Sequence, residues 1–209
     1  MGMLKFRYPP LPLPTKEYNE GQQDQFQRAL KLYFSQIDSA YWDGTKNVTP
    51  YAMLMSNTDQ LSAGTTSENL IVFDTPVFTK DIVINGPNDT RIQPVYPGQY
   101  LVTMSLQFAN RGNAAQIIEV WAKDAGVNYP LSNSRYDIPA RKSLSVYSHV
   151  VAVKSGIFTV NDPQTDYLEI AWWSDGADVV LEHYAGGTSP TRPEIPSVIL
   201  TINLVSALT

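Results

Sequence analysis

The chain has 209 residues, 43% of them hydrophobic and 17% charged, with a net charge of −5. That length admits one large domain, or one domain with an appendage, and enough apolar residues for a real core. With no dense basic patch, no nucleic-acid partner is expected, and the lack of cysteine excludes disulfide staples and thiolate metal sites.

Residues 1–18, rich in proline, read as an extended arm. Pro9, Pro10, Pro12 and Pro14 fix φ and remove amide donors, which favours a polyproline-like path. Leu4, Phe6, Tyr8, Pro9, Pro10, Leu11 and Leu13 give that path apolar pegs. Two readings stand: a disordered tail, or an arm lying in a groove of a neighbouring protein, since a stiff arm loses less entropy on docking.

Residues 19–41 read as one amphipathic helix with Asn19 as its N-cap. Phe26, Leu30, Tyr33, Ile37 and Ala40 recur at alternating spacings of four and three, which sets them on one seam. Leu32 and Phe34 widen that apolar face. The seam either docks onto the chain's own β domain or meets copies of itself in a trimeric coil. Residues 42–68 read as a polar linker, interrupted by Tyr51-Ala-Met-Leu-Met55 as a candidate first strand.

From residue 69 to 209 the period changes to two. Runs such as "GQYLVTMSLQFAN", "QIIEVWAKDAG", "DYLEIAWWSDG" and "PSVILTINLVSA" are β-branched or aromatic and end at Gly, Pro, Asn or Asp. Tyr100, Val102, Met104, Leu106 and Phe108 form one apolar face; Leu168, Ile170 and Trp172 form another. About eight such strands predict a mainly β fold, a jelly-roll β-sandwich preceded by the arm and the single helix. Tyr147, Tyr167, Trp173 and Tyr184 alternate with core positions. They are expected either to form a trimer interface or to be covered by residues 42–68.

Chemistry-bearing motifs are missing. His149 and His183 sit in strand patterns without companion ligands, and there is no phosphate loop or nucleophile elbow. Asp162 with Asp166, and Asp175 with Asp178, fall in turns, where Asp bonds the local backbone. The expectation is a non-enzymatic protein with no catalytic residue, no metal and no cofactor. No apolar run approaches the ~20 residues of a membrane span, and none of signal-peptide type opens the chain. No membrane partner is expected, and synthesis and folding in a cytoplasm are.

The stretch "IEVWAKDAGVNYPLSNSRYDIPARKSLSVYSHVVAV" resembles a module of tailed-phage virion structural proteins, through Trp121, Pro130, Asn133, Arg135, Ile138, Pro139, Ala140, Arg141 and Lys142. The tail "YAGGTSPTRPEIPSVILTINLVS" resembles the end of the same module, through Arg192, Pro193, Ile195, Pro196 and Ser197. The resemblance implies a jelly roll similar to complement globular heads and tumour-necrosis-factor domains, folds that are usually trimers. It implies a homotrimer held to a major capsid protein or another virion protein by its arm and helix, as capsid cement or decoration. The alternative is a head or tail fibre protein recognising host surface glycan. Against that alternative, the loops "NGPNDTR", "NDPQTD" and "SDGAD" carry polar residues without grouped aromatics.

Overall fold

The computed structural model describes residues 20–46 and 49–207; within the helix, side chains are described at residue 21 and residues 23–35. The arm, Asn19 and the side chains of Ile37 and Ala40 lie outside the described residues. The chain divides after residue 48 into two compact units.

The first unit contains one α-helix, Glu20–Lys46. Good helix formers (Gln, Leu, Ala, Lys, Arg) fill its length, and no proline follows until Pro50, so it runs five residues past the expected end. Leu30 and Tyr33 are half-buried, while Phe26, Leu32 and Phe34 are exposed.

The second unit is mainly β: two antiparallel sheets packed as a jelly-roll sandwich. The first sheet runs Ser148–Val160, Gly98–Asn110, Val198–Ala207, Tyr51–Ser56 and Thr75–Lys80 in spatial order. Val179–Leu181 pairs with the end of Gly98–Asn110 and carries the short strand Gln60–Leu61 on its other side. The second sheet runs Ser134–Ile138, Gln116–Asp124, Leu168–Ser174, Arg91–Pro94 and Ile82–Asn85.

Tyr51–Ser56 is therefore an interior strand, paired to Val198–Ala207 on one side and Thr75–Lys80 on the other. The β unit begins upstream of the boundary at residue 69 read from sequence, and the first and last strands close the sandwich side by side. Ser197 fastens that closure, its hydroxyl donating to the Ser56 and Thr58 carbonyls at 3.1 and 2.8 Å.

Inward positions are those the two-residue period marks. Tyr100, Val102, Met104, Leu106 and Phe108 are buried from the first sheet, and Leu168, Ile170 and Trp172 from the second. Phe108 and Trp172 meet edge to face across the core, with ring centroids 5.3 Å apart, a favoured aromatic geometry. The Tyr100 hydroxyl donates to the Tyr96 carbonyl at 2.8 Å, so its burial leaves no unpaired donor.

Candidate interaction surface

The outer face of the first sheet is almost free of charge. Register fixes three parallel rows across its five long strands. One row holds Ile157, Leu101, Asn203, Tyr51 and Lys80; the next Ser155, Thr103, Thr201, Met53 and Phe78; the third Val153, Ser105, Ile199, Met55 and Thr75. Lys80, at a corner and 3.3 Å from Asp81, is the one charged residue among these positions. Val153 keeps 62% of its surface, Ile157 49% and Phe78 49%, and Phe78 meets Tyr51 edge to face. Strands ~4.8 Å apart and rows ~6.8 Å apart make this face about 19 by 14 Å, on the order of 300 Å². Patches of that size on a folded chain commonly mark contacts.

The four aromatics expected to stand outward are instead half-buried, each engaged by its own domain. The Trp173 indole N–H donates to the Thr65 carbonyl at 2.7 Å. The Arg91 guanidinium lies 4.3 Å from the Tyr167 ring centre, and that of Arg111 lies 5.4 Å from the Tyr147 ring centre. Of the four, Trp173 alone lies within a strand, Leu168–Ser174, where alternation sets it opposite the buried Trp172. A non-local segment meets Trp173 there: Asn69–Leu70 pairs beside Leu168–Ser174, and Glu68 pairs with Lys123.

Tyr147 and Tyr184 gather at one end of the first sheet around a polar network that sequence reasoning missed. Arg111 donates to Asp59 at 2.6 Å and to Glu182 at 3.1 Å. Glu182 also accepts from the Tyr184 hydroxyl at 2.6 Å and lies 2.8 Å from His149 Nε2. Burial pushes the Glu182 carboxyl up, but the bonds from Tyr184, His149 and Arg111 outweigh it and hold its pKa below the ordinary value. Burial and the neighbouring Glu182 raise the Tyr184 phenol. Each ionisable member has a partner inside the domain, although the buried Arg111 Nε has none, and the network ties the strand ends together. Among the described residues, no group of three or more His, Asp or Glu is placed to hold a metal ion.

A shallow hollow on the second sheet groups Trp121 and Tyr129 with Glu119, Asn128 and Asn133. The Trp121 indole N–H donates to Asn128 at 2.8 Å, and Asn133 donates to Glu119 at 2.8 Å. The turn at Ala125 and Gly126, both at positive φ, folds Val127–Asn128 back against Asp124 and Lys123. That "Asp-Ala-Gly" hairpin signal was present in the sequence. It places an aromatic pair beside three polar side chains, which reading the loops one at a time did not reveal.

No family profile and no curated protein matches the sequence. Among solved structures, the chain is similar to the crystal structure of murine APRIL at pH 8.5. The sequences are 12% identical, the match covers 76% of this chain and 100% of that chain, and the TM-score is 0.44.

Proposed function

We propose that this chain is a non-enzymatic structural protein of a tailed-phage particle, assembling as a homotrimer through the outer face of the first sheet. The observation that carries the assembly is the five-strand surface of Val153, Ile157, Leu101, Met53 and Phe78, on which Lys80 is the lone charge. An uncharged face suits a copy of itself, because association there leaves no ion without a partner. The particle assignment is supported by the resemblance of residues 118–153 and 184–206 to virion modules. In this reading the arm and helix hold the trimer to a capsid or other virion protein, as cement or decoration, and the protein resides in the virion.

Light scattering of the purified chain tests the assembly: the expected mass is three times 23.3 kDa, and a monomer at micromolar concentration refutes it. Antibody labelling of purified particles under electron microscopy tests the location. Label spread over the head supports cement, and particles without label refute a virion role.

The Trp121–Tyr129 hollow favours a second reading, a fibre protein that binds host glycan. An aromatic face with Asn and Glu side chains at its rim has the amphipathic chemistry of a sugar ring, apolar on its faces and hydroxylated at its edge. A glycan array probed with the intact chain tests it. A hit lost in Trp121→Ala supports this reading; an empty array removes it.

A further inference from the structure

The edge of the sandwich beside Ser148–Val160 opens into a cavity of about 340 Å³ between the two sheets, within the range of small-ligand pockets (~300–1,000 Å³). Its floor is core: Met104, Phe158, Leu168 and Ile170. Its lip carries Leu131, fully exposed and at φ 61°, a left-handed backbone that costs a branched apolar residue energy.

Two residues of the edge strand shape the interior. Alternation sends Lys154 and Gly156 inward with the buried Ala152 and Phe158. A Cβ built on Gly156 would meet nothing within 4 Å, so a side chain is missing where the strand has room for one. Lys154 reaches across to the second sheet and donates to the Val120 carbonyl at 2.9 Å and to the Ser132 carbonyl. An ammonium has three donors, so one remains after these two bonds. Arg91, Arg111 and Lys123 each face a carboxylate; among the described residues Lys154 faces none. Cations drawn out of water are normally paired.

We propose that this cavity binds an aliphatic monocarboxylate, its tail on Met104, Phe158, Leu168 and Ile170 and its head on the Lys154 ammonium. The two carbonyl oxygens beside the ammonium repel a doubly charged head, which selects a carboxylate over a phosphate. The chain length follows from the cavity, which suits a medium-length tail of roughly ten carbons at ordinary packing. Burial pushes the Lys154 amine below its ordinary value, and an arriving carboxylate reverses that push.

The alternative role for Lys154 is a guard, an inward charge that keeps an exposed edge strand from pairing with another chain. Calorimetric titration of the full chain with decanoate and with 1-decanol separates the two. The expected result is saturable decanoate binding, weakened about tenfold in Lys154→Met while decanol binding holds. Gly156→Leu fills the floor and is expected to abolish both. No saturable binding of decanoate up to about 1 mM, or equal decanoate affinity in Lys154→Met, overturns the proposal. Methyl NMR of the unmodified chain gives a readout independent of variant folding. Decanoate is expected to shift Met104 and leave Met53 and Met55, which face the opposite side of their sheet; shifts confined to Met53 and Met55 also overturn it.

Discussion

Replacing Val153 and Ile157 by Asp separates assembly from folding. Both side chains keep about half or more of their surface within the chain, so the domain itself loses little: mainly strand propensity, at most ~1 kcal/mol per site. Against a typical domain stability of ~5–15 kcal/mol, that is a fall of a few degrees in melting temperature. The trimer loses far more. A carboxylate buried in a contact without a partner costs at least ~2 kcal/mol. With two carboxylates at each of three equivalent contacts the total is ~12 kcal/mol, more than eight decades in the association constant.

Size-exclusion chromatography with light scattering reads both sides of this argument when paired with thermal unfolding. The wild type is expected at three times 23.3 kDa and the double variant at 23.3 kDa, with unfolding still cooperative. A double variant that keeps the trimer mass refutes the placement of the interface on this face. The helix seam of Phe26, Leu30, Tyr33, Ile37 and Ala40 gives the companion experiment: Leu30→Asp with Ile37→Asp weakens assembly if the helix contributes a coil, and leaves the mass unchanged if it does not.

Three further outcomes follow from the β unit. Glu182→Gln keeps the shape of the polar network but removes the charge that Arg111, His149 and Tyr184 converge on; urea unfolding is expected to show a loss of ~1–3 kcal/mol, and an unchanged midpoint would make the network a bystander. Trp172→Ala opens the centre of the core and is expected to cost ~3–5 kcal/mol, with Trp172→Phe milder because it also removes an indole N–H that has no partner. Acid should destabilise the fold: Glu182 is held below its ordinary 4.5, and Asp74 and Asp166 below their ordinary 3.8. A lowered carboxylate contributes fully above its unfolded value and loses that contribution as pH falls through the folded one. Melting temperature should therefore drop below about pH 4.5, partly offset by Asp124, which burial and Asp166 raise; a flat profile down to pH 3 would refute the assignment.

The strands were legible because burial on one side imposes a two-residue period on the sequence itself. Tyr100 to Phe108 and Leu168 to Trp172 show it, and every inward residue so marked is buried. What covers the other side is a non-local matter. "DYLEIAWW" carries Glu169 and Ala171 on its second face, which looks solvent-facing on paper. Yet both are buried, with Glu169 near Thr90 and Arg91 and the 65–70 segment laid along the strand. Conversely, "HVVAV" reads as uniform core, yet Val151 and Val153 point outward from an edge strand. Adjacent valines hide the alternation, because hydrophobicity then no longer distinguishes the two faces. The contact surface was thus sought in the residues with the largest rings, Tyr147, Tyr167, Trp173 and Tyr184. Of these rings the 65–70 segment engages Trp173 alone, while Tyr167 meets Arg91, Tyr147 meets Arg111 and Tyr184 meets Glu182, contacts between groups far apart in sequence. The face left over is built from Val, Ile, Met and Thr, residues small enough to stand in water singly but, laid side by side by register across five strands, costly to leave uncovered together.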